Sequence, residues 1–230
     1  MIIQRDIDCG ALYRRTRREL IDLVRSLSDE QSGRMVPATP AWSIHDVVSH
    51  LVGITADLNA GNFGSGDADA WTGAQVGARR TRSIDELSTE WETEGPRFEE
   101  GLRLLGYGIG SHYVGDLTQH VADIDHTIGR KFEHGQALIV GLDFYLDSFH
   151  ETLSAAEVGS VALWIGDEEW VLGRGPRVAS LTAGRFEIFR CLGGRRSARQ
   201  IRALDWTGDL ASILPLVSRY SLPPKDIVEG

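Results

Sequence analysis

Cysteine is scarce in this 230-residue chain: Cys9 and Cys191 stand far apart and form no C-x-x-C or other ligand spacing. That excludes a thiolate-caged zinc or a dithiol redox centre, and a reduced cytoplasmic protein is the simplest expectation. Positive charge is also short, with 24 Lys and Arg against 33 Asp and Glu and a formal net charge of −9. A phosphate-backbone binder needs the opposite balance, so no nucleic-acid partner is expected. No uninterrupted apolar run approaches membrane-spanning length, so no membrane partner is expected either. The first residues, Met1 to Asp8, lack the basic-then-apolar pattern of a signal peptide. Internal repeats and low-complexity tracts are absent as well. What remains is an ordinary globular composition, 42% hydrophobic and 25% charged, with material for one large domain or two small ones.

Hydrophobic periodicity divides the chain in two. Leu12, Thr16, Leu20, Leu23, Val24 and Leu27 form a helical stripe over 6–27, and Arg14, Arg15, Arg18 and Arg25 read as its solvated face. Pro37 to Trp42 is a rigid loop, with Trp42 packing it down. Ser43 and Asp46 then open a second helix through about Asn59 as N-cap and N3. Residues 61–82 are rich in Gly, Ala and Asp without a period, which predicts a long flexible loop. Ser83 and Glu86 cap a third helix, and Pro96 predicts a kink or a restart at Gly95. A glycine-rich turn at 106–110 precedes a fourth helix that ends at Gly129, and a fifth runs from Ala137 to about Leu153. After Ser154 the pattern changes to short strand-like runs at 161–165, 169–172 and 178–181, then helices at 184–192, 197–204 and 210–219. The expected architecture is therefore α+β. A helical domain spans 1–154 and a smaller α+β domain spans 155–230.

The chemistry concentrates in Asp116-Leu-Thr-Gln-His120-Val-Ala-Asp123. Helical spacing puts Asp116, His120 and Asp123 on one stripe, and a carboxylate one turn before an imidazole can grip a divalent metal. A third ligand must come from another helix, and His50 is the candidate. Two histidines and a carboxylate suit zinc first and nickel second, and they leave coordination positions open, as catalysis requires. Asp123 is read as a hydrogen-bond partner of a ligand or a helix–helix contact rather than a fourth ligand. Spacing alone leaves the alternative open: a surface ion pair at 116/120 beside an unrelated half-buried histidine. Arg195, Arg196, Arg199 and Arg202 are either a solvated basic face or, at 195 and 196, partners for an anionic cofactor or substrate. Cys191 reads as a small buried hydrophobe rather than a nucleophile. His45, His112, His126, His134 and His150 have no partner at ligand spacing.

Thr39-Pro-Ala-Trp42-Ser-Ile-His-Asp46-Val-Val-Ser-His50-Leu-Val-Gly53 resembles the Pro-Gly-Trp-(Ser/Thr)-x-x-Asp-x-x-x-His-Leu segment of the mycothiol-dependent maleylpyruvate isomerase family. That family lies within the DinB-like metalloprotein superfamily. The second motif, Glu-x-x-x-His-x-x-Asp on a helix ending in Gly, is similar to Asp116 through Asp123 closing at Gly129. The similarity continues through Gly194 to Ser197, Gln200-Ile201 and Asp205 to Asp209. The resemblance implies an N-terminal DinB-like four-helix bundle that holds a divalent metal through His50, Asp116 and His120. It also implies mycothiol as cofactor and a small electrophilic substrate, with isomerisation or S-transfer through a metal-activated thiolate, in a monomer or homodimer. The departure is Asp116 where the family carries Glu: one methylene shorter, it must approach the metal more closely or act through a water. The alternative is a non-catalytic DinB-like protein that binds a metal or a small ligand.

Overall fold

The structure is a computed structural model that describes residues 3–64, 66–133 and 135–229; His134 lies outside them. Two compact units emerge, one spanning Asp6–Glu133 and the other joining residues 3–5 to 135–229. Both are helix-rich and the second carries a sheet, so the chain is α+β.

In the first unit, α1 (Cys9–Arg25) starts where the Asp8 side chain accepts from the Ala11 amide, and it buries Leu12, Tyr13, Thr16, Leu20 and Val24. A single turn, α2 (Asp29–Ser32), follows a capping box between Ser28 and Gln31. The loop to Trp42 is closed by the Val36 amide donating to the Trp42 carbonyl at 2.9 Å. The expected Ser43–Asp46 capping box then opens α3 (Ile44–Asn59). α5 (Ile84–Leu105) begins at the Ser83–Glu86 box, and Pro96 neither ends nor restarts it. Trp91, Phe98 and Leu102 are buried on either side of the proline, and that burial outweighs the loss of one backbone hydrogen bond. α6 (Tyr107–Thr127) starts directly after Gly106, at φ 80°, so only the first residue of the expected glycine turn acts as a turn. Gly129, at φ 72°, terminates it in the left-handed conformation.

The stretch expected as a loop over 61–82 contains a helix, α4 (Ala68–Arg79), capped by Asp67 accepting from the Ala70 amide. Its four alanines favour a helix while Gly73 and Gly77 oppose one, and its buried apolar side amounts to little more than Val76. Tertiary contact with α3 adds what so short a helix lacks alone.

The second unit is built on α7 (Gly135–Ala156). Its strands are β1 (Ser160–Ile165), β2 (Glu168–Gly173), β3 (Arg177–Thr182) and β4 (Asp205–Gly208), in the order β2-β1-β3-β4. β1 pairs antiparallel with β2 and parallel with β3, and β3 pairs antiparallel with β4. Sequence periodicity missed β4, a four-residue edge strand with one large apolar side chain, Trp206. The division falls at 133/134 rather than the expected 154/155. Leu142, Tyr145, Leu146, Phe149 and Leu153 of α7 share a core with Val161, Leu163 and Leu172 of the sheet. The amide of Ile3 donates to Asp147 at 2.7 Å and Arg5 pairs with Asp143, which ties the first residues to that helix. α8 (Arg185–Leu192) and α9 (Ala198–Arg202) match expectation, whereas α10 (Leu210–Ile213) stops early because Pro215 turns the chain into a single tighter turn.

Candidate metal centre

α3 and α6 of the first unit present their histidines to each other. His50 and His120 are buried, with ring centroids 5.2 Å apart. Asp116, one turn before His120, reaches between them. One of its oxygens lies 3.9 Å from His50 Nε2 and the other 3.8 Å from His120 Nε2. One donor atom from each residue lies within 4.8 Å of the other two, and this is the only such trio among the described residues. Two metal–ligand bonds of about 2.1 Å can span donor atoms up to about 4.2 Å apart. The shorter aspartate is therefore within reach of both histidines. Its side chain keeps 23% of its surface open while those of both histidines keep 6%, so solvent or a ligand approaches from the aspartate side.

The far ring nitrogen of His50 is held from behind. Gln75 Oε1 sits 3.0 Å from His50 Nδ1, and Gln75 Nε2 donates to Asp57 at 2.9 Å. The Asp57 carboxylate can only accept, so it turns the amide oxygen of Gln75 toward the histidine. His50 then carries its proton on Nδ1 and presents the Nε2 lone pair to Asp116. Asp123, whose side chain is fully buried, lies 3.3 Å from His120 Nδ1, but that nitrogen makes no hydrogen bond with any described residue. Trp42 covers both imidazoles, 5.1 Å from the His50 centroid and 6.5 Å from that of His120. The donor set and its backing suit a zinc-like ion with open positions.

A second buried polar chain runs beside the trio. Tyr13 Oη lies 3.3 Å from Thr55 Oγ1, which also accepts from Trp91 Nε1 at 3.1 Å. Burial first, and then the Asp116 charge, push the Tyr13 and Tyr113 phenols above their ordinary value, so both remain neutral.

The other sequence candidates fall elsewhere. Arg196 is buried in the second unit, where its Nε donates to Glu187 at 2.6 Å and its Nη2 lies 2.7 Å from Glu229. It is neither a solvated face nor an open anion site, because its guanidinium fork is already engaged. Arg195 donates to the Gly193 carbonyl at 3.0 Å. Cys191 is buried and its thiol is pushed up to about 12, chiefly by burial; Cys9 is likewise buried and free. His45 lies 2.7 Å from the Arg82 carbonyl and His150 accepts from the Gly173 amide. Gln75 escaped sequence reading because it lies in the stretch read as a loop. The signal available was Asp67 as an N-cap, with Trp71 and Gln75 following at helical spacing.

Residues 13–107 match the family model of the mycothiol maleylpyruvate isomerase N-terminal domain. That match covers the N-terminal region of this chain. His50 lies inside the matched residues, while Asp116 and His120 lie beyond them. Two crystal structures share the fold: mycothiol-dependent maleylpyruvate isomerase and its histidine-to-alanine mutant. They are 14% and 13% identical to this chain, with TM-scores of 0.53 and 0.52, and each match covers 81% of this chain and 88% of the other. No curated protein matches the sequence. The maleylpyruvate isomerase fold therefore extends past the matched domain, at an identity that carries the fold alone.

Proposed function

We propose that the protein is a metal-dependent enzyme that uses a low-molecular-weight thiol, mycothiol by its family, to isomerise a small electrophilic alkene. The observation that carries this reading is the convergence of His50 Nε2, Asp116 and His120 Nε2 from two helices, with His50 backed on its other nitrogen by Gln75. An idle surface ion pair has no need of that backing.

His50, Asp116 and His120 would hold the ion. When bound, the ion would stabilise the ionised form of a coordinated thiol, the nucleophile that isomerisation or S-transfer of an electrophilic alkene would need. The chain's own residues supply the rest. Gln75 fixes the tautomer and ring direction of His50, and the buried Asp123 carboxylate lies beside His120. Trp42 and the surrounding burial keep water from all but the aspartate side. The related proteins named for isomerisation favour that outcome over S-transfer, since the released thiol is regenerated each turnover and no atom is gained or lost.

The test is elemental mass spectrometry on protein purified without chelator or a His-tag, followed by thiol-dependent turnover of cis-alkene acids, maleylpyruvate among them. Near-stoichiometric metal in wild type, lost together with turnover in His50→Ala and His120→Ala, is expected. Metal-free wild type that takes up no added zinc or nickel would instead leave a small-ligand-binding protein without this chemistry.

A further inference from the structure

The proposed reaction leaves one large feature of the first unit unused. A cavity of about 440 Å³ opens between the end of α3, the second half of α5 and the start of α6, walled by Leu58, Phe98, Leu102, Leu105, Ile109 and Tyr113. That volume lies in the range of small-molecule sites, which are mostly apolar with a few placed polar groups. Gly101 also lines it, and a Cβ built there would meet no heavy atom within 4 Å. Its rim leaves apolar surface in water, with Phe63 at 75%, Leu105 at 65% and Ile109 at 46% exposure. Arg97 also lines it, and this exposed guanidinium makes no ion pair or hydrogen bond with any described residue. Elsewhere in the unit Arg14, Arg17, Arg25, Arg79 and Arg82 all pair with glutamates.

The cavity and the metal centre share a helix face. Ile109, Tyr113, Asp116 and His120 follow one another along α6 at i, i+4, i+7 and i+11. Tyr113 is thus both a cavity wall and the turn before Asp116. From Ile109 to Asp116 the helix rises about 10 Å, roughly the length of an eight-carbon chain. A chain carrying a net charge of −9 repels anions in general, so an anionic ligand held here needs a local cation, and Arg97's planar fork meets a carboxylate well.

We infer that this cavity binds the distal part of the substrate, an apolar arm ending in a carboxylate, and that Arg97 receives the carboxylate. The reacting end of that substrate rests on the function proposed above; the binding of the arm does not.

Octanoate is the probe, titrated calorimetrically into metal-free protein without thiol, with 1-octanol as its neutral counterpart. One octanoate per chain is expected, at least tenfold tighter than octanol. Arg97→Ala should erase that preference and Gly101→Phe should abolish binding of both, while His120→Ala leaves binding as in wild type. Should Gly101→Phe fail to fold, Ile109→Glu at the exposed rim serves in its place and should weaken octanoate at least tenfold. Absence of octanoate binding overturns the inference, as does binding indifferent to both cavity variants. So does sedimentation showing a dimer that Ile109→Glu splits, which would make this face a subunit interface. With turnover in hand, octanoate should compete with substrate in wild type but not in Gly101→Phe; failure to compete would detach the cavity from the reacting site. Because the titration needs no metal, a protein that binds octanoate yet holds no ion refutes the proposed function and leaves the cavity's ligand in place.

Discussion

At the scale of single residues, the amide behind His50 decides more than its distance from any substrate suggests. Gln75→Leu keeps the volume but leaves His50 Nδ1 facing hydrocarbon and Asp57 without its donor. Zinc affinity is expected to fall about 10–100-fold, read by competition with a chromophoric chelator at unchanged helix content. Unchanged affinity would remove Gln75 from the site. Asp116 allows a contrast. Its oxygens already lie 3.8 and 3.9 Å from the two imidazole nitrogens, so Asp116→Glu is expected to leave metal content as it is. Asp116→Asn deletes the one negative ligand and should lower it, both read by elemental mass spectrometry.

At the scale of elements, two helical glycines with the same local cost should respond in opposite directions. Gly10 is where α1 crosses α5: an added Cβ would lie 2.2 Å from the Glu99 carbonyl oxygen, which is backbone and cannot swing aside. Gly10→Ala is therefore expected to destabilise by about 1–3 kcal/mol through overpacking. Gly101 lies in an open stretch of α5, so Gly101→Ala should stabilise by about 0.5–1 kcal/mol from propensity alone. Thermal melts of the two variants decide it, and a shared sign would refute the packing argument.

At the scale of the whole molecule, both thiols couple stability to alkaline pH. Burial raises Cys9 from its ordinary 9.0 to about 11 and Cys191 to about 12. Below pH 9 the folded and unfolded chains both keep these protons. Between pH 9 and about 11–12 only the unfolded chain loses them, so the stabilisation present below pH 9 is lost through that window. The melting temperature is expected to fall from pH 9 upward, less steeply in a Cys9→Ala/Cys191→Ala double variant. Native protein at pH 8 should resist alkylation at both positions. The far end of the chain carries weight too. Glu229 pairs with Arg190 and Arg196, both buried. Glu229→Gln leaves two buried guanidinium groups with less compensation and should cost about 3–5 kcal/mol in denaturant unfolding.

Local patterns were enough for the elements that announce themselves. Ser43 with Asp46 and Ser83 with Glu86 mark helix starts because a side-chain oxygen must satisfy an orphan amide there. Gly129 marks an end because the left-handed turn suits a residue without Cβ. Asp116, His120 and His50 were legible as residue types at useful spacing, since an i, i+4 pair meets on any helix. Three features depended on contacts distant in sequence. α4 forms in a glycine- and alanine-rich stretch because α3 gives it a surface, and with it comes Gln75. α7 leaves the helical unit because its apolar face is complementary to the sheet, which periodicity alone cannot assign. Arg196 becomes a buried ion pair through glutamates brought near only in three dimensions, and Arg97, beside an apolar cavity, pairs with none of the described residues. The sequence by itself determined where helices begin and end and which donors were on offer. Only the tertiary structure decided which faces pair and which charges remain uncompensated, because burial and pairing are properties of neighbours the chain brings together by folding.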